Sequence, residues 1–184
     1  DASAEQIVEA MGRAELMYPI RAQFHYSNMS YMVAGMAAAN AAEAPSWHEL
    51  IRERLLVPLD MDGATTRQAP ALADPAQATG YRWNDEDETL DARPLRRLDV
   101  IAPAGSVNAS AREMTHWLRM LLDRGAFQGT RIVGEEALAE TWTPQIDAFG
   151  AEYALGWVVT EWQGRRMLMH TGGIDGFAAI VVVL

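Results

Sequence analysis

The chain has 184 residues, 49% of them hydrophobic, and a net charge of −10. That length and apolar content suffice for one domain with a real core and exclude a disordered chain, while basic residues that are all arginine, scattered along the chain, exclude a nucleic-acid surface. The lack of cysteine rules out disulfides and thiolate metal sites, and no apolar run approaches the roughly 18 to 20 residues of a membrane-spanning helix.

In chain order, Ser3 is a candidate N-cap for a short helix that spaces Ile7, Val8 and Met11 on one face, and Tyr18-Pro19 breaks it. Phe24 to Asn28 reads as a polar-aromatic loop at the entrance of an Ala- and Met-rich helix from Met29 to Ala42. Ser46 and Glu49 have capping-box spacing at the head of a helix that stops before Pro58, with Trp47, Leu50, Ile51 and Leu55 as its apolar stripe. From Asp60 to Pro103 periodicity fades amid prolines at 70, 75 and 94 and the acidic run Asp85 to Glu88, which predicts a long excursion with little regular structure, one that could wall a cleft with an aromatic or two. Ser110 and Glu113 open the most regular helix, with Met114, Trp117, Leu118, Leu121 and Leu122 on one side and Gly125 beyond its end. A shorter helix covers Glu135 to Thr141. Three β-type segments follow, Tyr153 to Thr160, Arg165 to His170 and Phe177 to Leu184, with Gln163-Gly164 and the glycine-rich stretch Gly172 to Gly176 as connections. The expectation is an α+β fold: residues 1–150 mostly helical with the irregular loop at about 60–103, and 151–184 an antiparallel three-stranded meander. The apolar run at the end, which stops without a turn or polar cap, and the start at Asp1 suggest a piece of a larger protein.

Two short motifs could carry chemistry. Tyr26-Ser27-Asn28 alone is also what a capping turn would look like, with Ser27 or Asn28 capping the next helix and Tyr26 packed on a neighbour. His170-Thr171-Gly172-Gly173 alone is equally a β-turn that uses glycine for positive φ. His25, His48 and His116 have no i, i+4 histidine partner and read as solvated or core-edge residues, and the Asp85–Glu88 run lacks calcium-loop spacing, so neither a metal nor a cofactor is expected. Ser106 has neither lysine nor histidine near it, and Ser110 is better used as a cap.

Taken together, Phe24-His-Tyr-Ser-Asn28, Ser46-Trp47, Arg54 to Met61, Ala102-Pro-Ala-Gly-Ser-Val-Asn108, Trp117-Leu-Arg-Met120, Tyr153-Ala-Leu-Gly-Trp157 and His170 to Phe177 resemble the serine β-lactamase and penicillin-binding-protein superfamily, in its esterase, peptidase and class C-like branch. The resemblance implies a β-lactamase/DD-peptidase-like fold, present in part, and a serine hydrolase acting on an ester, amide or β-lactam through an acyl-enzyme. It makes Tyr26 the proton shuttle of a Tyr-x-Asn motif and Asn28 the residue that orients lysine and substrate. His170 stands where the family's Lys-Thr-Gly motif has lysine, turning a permanent cation into a titratable one. Thr171 and Gly172 complete that substrate-binding motif, and the Gly173 N–H would be one oxyanion donor. The chain has no lysine, hence no Ser-x-x-Lys, so the resemblance implies that nucleophile and lysine lie elsewhere in the parent and that this segment alone is inactive. Its expected partners are a small-molecule or peptide substrate and the remainder of the same protein; a periplasmic or secreted compartment is suggested by the resemblance only. The rival from another class is an inactive penicillin-binding-like sensing module. A purely structural helical domain would leave Tyr26 and His170 far apart.

Overall fold

The computed structural model describes residues 2–184. Helix α1 (Ala4–Arg13) opens with a capping box in which Ser3 Oγ accepts from the Gln6 N–H and the Gln6 side chain accepts from the Ser3 N–H. Helix α2 (Asn28–Ala41) starts on Ser27, whose Oγ accepts from the Ser30 N–H at 3.2 Å. Helix α3 (Trp47–Ile51) runs directly into a π-helical turn, Arg52–Leu56. Ser46 caps it, but the box does not close, because the Glu49 carboxylate turns away to Arg67 at 3.2 Å.

The excursion from 60 to 103 is more regular than its sequence suggests. It holds α4 (Gln68–Ala73), the hairpin β1 (Gly80–Asn84) and β2 (Thr89–Arg93), and a 3-10 segment, Asp99–Ala104. Pro70 sits in the first turn of α4, where no intrahelical N–H is required. The hairpin escapes a periodicity argument because its strands are mostly exposed and so lack the alternation a buried face would impose. The acidic run forms its loop, nucleated by Asn84 Oδ1 accepting from the N–H groups of Glu86 and Asp87. The 3-10 segment packs beneath α2, and a Cβ on Gly35 would collide with Pro103.

Helix α5 (Ala111–Leu122) carries the full capping box expected of Ser110 and Glu113. A two-residue hairpin, β3 (Ala126–Phe127) and β4 (Thr130–Arg131), leads to α6 (Glu135–Thr141). The remaining strands form an antiparallel meander in sequence order, with five members where three are expected: β5 (Ile146–Ala148), β6 (Ala151–Tyr153), β7 (Val158–Trp162), β8 (Arg165–Ile174) and β9 (Phe177–Val183). Strands β5 and β6 are too short to show a period, and Phe149 and Gly150, both at positive φ, make the turn between them. Tyr153 accordingly closes β6 instead of opening β7. Strand β8 continues through Gly172 and Gly173, and the turn to β9 is only Asp175-Gly176.

The core fills the space between α3, α5 and the sheet. Leu56, Leu59, Met61, Met120, Leu121, Phe127, Leu138, Trp157, Val159 and Leu168 are buried in one cluster, each large side chain contributing roughly 1.5–3 kcal/mol of apolar burial. Trp117 of α5 stacks on Trp157 at 5.8 Å.

Candidate active site

Strand β8 organises the site. Its pairing with β7 ends at Met169, opposite Val158, whereas β9 accompanies it to Ile174. From His170 to Gly173, therefore, one edge of β8 has no strand beside it among the described residues, and alternate backbone groups on that edge are unpaired. Thr171, Gly172 and Gly173 are exposed there. Neither glycine has positive φ, and a Cβ on either would meet nothing within 4 Å. The turn explanation for these glycines is thus excluded: they lie in extended strand and front open space.

The loop before α2 faces this edge. Its capping duty falls to Ser27, which leaves the Tyr26 ring and the Asn28 side chain unused by the helix. Tyr26 and His170 lie with ring centroids 6.3 Å apart and planes at 31°, so the two motifs are neighbours in space. Both border a cleft of about 1990 Å³ that also includes Asn28, Thr171, Gly172 and Gly173. The far wall comes from the excursion and the segment after it, through Thr66, Arg67, Gln68, Arg82, Leu95, Arg96 and Asp99, and then Ser106 to Glu113. The hairpin's aromatic residues do not line it; Tyr81 and Trp83 are about half exposed on the outside. Ser106 is buried and donates to the Ala102 carbonyl at 3.0 Å, a helix-end contact.

Behind the imidazole lies an aromatic group that the motifs did not reveal. The Tyr153 hydroxyl is 3.3 Å from His170 Nε2, and the Tyr153 ring packs against Phe24 at 4.7 Å and Phe149 at 6.1 Å. Burial, then the neighbouring phenols of Tyr31 and Tyr26, push Tyr153 up to about 12. Burial, then Tyr26, also raises Tyr31. The Tyr153 and Tyr31 phenols are therefore neutral across the physiological range. Only the Tyr153-Ala-Leu-Gly-Trp157 segment hinted at this, and it carried no residue role.

His48, expected to be solvated or at the core edge, instead borders the cleft and pairs through Nδ1 with the buried Thr66 hydroxyl at 2.9 Å. Burial and then the Arg67 charge lower its pKa. His116 is held against the core by the Leu59 carbonyl at 2.8 Å, and His25 is exposed. Among the described residues no group of three or more His, Cys, Asp or Glu side chains could hold a metal ion, and no helix is long and apolar enough to cross a membrane.

A family model described as Beta-lactamase matches residues 1–184. The chain belongs to the beta-lactamase family. This beta-lactamase-family chain is similar to the unguisins hydrolase ungD' of Aspergillus campestris, with 29% identity over 189 residues covering 100% of the chain and 35% of the relative. Among solved structures it resembles the octameric penicillin-binding protein homologue from Pyrococcus abyssi, with TM-score 0.85, 21% identity, and coverage of 99% of this chain and 41% of that one. It also resembles the D-stereospecific amidohydrolase from Streptomyces sp., with TM-score 0.79, 22% identity, and coverage of 99% and 53%. The structural likenesses fix the fold, a helical region followed by an antiparallel sheet of the β-lactamase and penicillin-binding-protein type. The chain spans about a third of the length of the curated relatives it matches.

Proposed function

We propose that this segment forms the proton-shuttle and oxyanion side of a serine hydrolase that cleaves an ester, amide or β-lactam through an acyl-enzyme, with the nucleophilic serine and its lysine supplied from outside this chain. In acylation the serine oxygen bonds to the substrate carbonyl carbon while Tyr26 takes the hydroxyl proton. The bond to the leaving group then breaks, and Tyr26 returns that proton to the departing oxygen or nitrogen. Water repeats the sequence to release the acid. A nearby cation favours the phenolate form that such a shuttle requires. Asn28, Thr171 and Gly172 hold the substrate, His170 supports the reacting centre beside Tyr26, and the Gly173 N–H stabilises the carbonyl oxygen as it becomes negative.

The observation that carries this reading is the 6.3 Å approach of Tyr26 to His170, beside the edge of β8 that no strand accompanies and the two glycines, Gly172 and Gly173, that front open space there. Glycines that neither φ nor packing demands suit a strand that a ligand must approach closely. Similarity to proteins described as an unguisins hydrolase and a D-stereospecific amidohydrolase supports hydrolysis as the reaction type.

Mass spectrometry of the full-length protein treated with a β-lactam and with a fluorophosphonate tests it. A covalent adduct on a serine is the expected result. Reversible binding without an adduct would contradict the hydrolase reading and favour the sensing module.

A further inference from the structure

We propose that Tyr153 is a positioning residue for His170: its phenol donates a hydrogen bond to Nε2, holding the neutral imidazole as the Nδ1–H tautomer and leaving that N–H as the donor His170 offers the cleft. A neutral imidazole has one donor and one acceptor nitrogen, and the partner of one decides the state of the other. The Tyr153 hydroxyl lies 3.3 Å from Nε2, and a buried phenol seeks such a partner. Tyr153 is itself only 6% exposed.

Its own position is fixed from several directions. The backbone of Tyr153 is paired on both sides, with Ile146 of β5 and Val158 of β7. Phe24 packs on its ring at 4.7 Å. The chain then turns sharply through Gly156, at φ +85, and a Cβ there would lie 3.0 Å from the Tyr31 hydroxyl, so glycine leaves room for the second phenol. Tyr31 belongs to the helix that follows Tyr26. Tyr31 in turn interacts with the Tyr153 hydroxyl, so Tyr31, Tyr153 and His170 connect the start of α2 to β8 behind the cleft, next to Tyr26. In the lysine-bearing pattern the same strand position supplies N–H donors through an ammonium group; an Nδ1–H tautomer supplies one without a charge.

The inference rests on the reading of His170 as a residue that faces substrate, but its test does not require turnover. Long-range proton–nitrogen spectra of the full-length protein at about pH 8.5, where an ordinary imidazole is neutral, report the tautomer once His170 is assigned with a His170→Gln variant. The expected wild-type form is Nδ1–H, and Tyr153→Phe should move it toward the Nε2–H form that predominates in free histidine. A loss in kcat/KM of the order of 10- to 100-fold should accompany that change, the scale seen for partners that orient a metal-bound imidazole. A wild-type Nε2–H imidazole, or a tautomer unchanged in Tyr153→Phe, overturns the proposal. If Tyr153→Phe fails to fold, the wild-type spectrum decides alone. An Nδ1–H wild type that forms no serine adduct with a β-lactam or a fluorophosphonate would remove the hydrolase reading and keep the positioning one; an adduct with an Nε2–H imidazole would do the reverse.

Discussion

Arg96 and Asp175, separated by 79 positions in the chain, meet in a two-point ion pair, with Nε 2.6 Å from Oδ2 and Nη2 2.9 Å from Oδ1. The contact fastens the loop after β2 to the β8–β9 turn, so the wall of the cleft is tied to the strand that carries His170. Both side chains are substantially exposed, and such pairs contribute only about 0.2–1 kcal/mol. Arg96→Ala should therefore leave the unfolding midpoint in urea nearly unchanged. Its effect should appear in KM, raised severalfold as the wall loosens, and the wild-type KM should rise with salt as the pair is screened. Steady-state ester hydrolysis by the full-length protein at two ionic strengths checks both.

Gly176 makes the neighbouring contact between the same two parts. It has φ +81, and a Cβ would come 2.6 Å from the Gly80 carbonyl carbon. Gly176→Ala combines a left-handed backbone with a backbone collision, so a loss of about 1–3 kcal/mol is expected. Urea denaturation measures it. An equal-sized loss on changing Gly173, where a Cβ meets nothing within 4 Å, would contradict the distinction between a packing glycine and an open one.

The raised Tyr153 phenol gives alkaline stability a definite sign. The unfolded phenol loses its proton near pH 10, whereas the folded one, raised by burial and by its phenol neighbours, holds its proton to about 12. The folded state binds the extra proton in that window, so this contribution is complete below pH 10 and is lost as the pH rises through about 12. Urea midpoints measured at steps above pH 9.5 should fall more steeply for wild type than for Tyr153→Phe.

On the acid side the group to watch is His48. Burial and the Arg67 charge lower its folded pKa, so the unfolded chain takes up a proton first as the pH drops below about 6.5. Its contribution is complete above that value and is lost on further acidification through the folded pKa. His48→Gln, which keeps a hydrogen-bonding group beside Thr66, should lose less stability than wild type between pH 7.5 and pH 5, as read by urea denaturation.

What the sequence disclosed follows from where each signal originates. Helices with a buried stripe and a capping serine, such as the one beginning at Ser110, announce themselves through period and cap together. The hairpin β1–β2 does not, because its side chains are mostly exposed and nothing selects apolar residues at alternate positions. Strands β5 and β6 span only three residues each, less than a period-two pattern needs. Within the cleft, Tyr26 and His170 were singled out by the resemblance of several segments taken together, since each short motif alone reads equally as a helix cap or a turn. Tyr153, His48 and Thr66 were not, since their roles come from contacts made only once β6 lies beside β8 and α3 lies beside the loop after it. Local sequence has no access to such contacts.

The proposed function depends on Tyr26 exchanging a proton with the reacting oxygen. The direct measurement is kcat/KM of the full-length protein for p-nitrophenyl acetate, wild type against Tyr26→Phe, with matched circular dichroism spectra to show that both are folded. The expected result is a loss of at least ~100-fold, the range of a general acid–base group. Turnover undiminished by removal of that single hydroxyl would contradict the assignment.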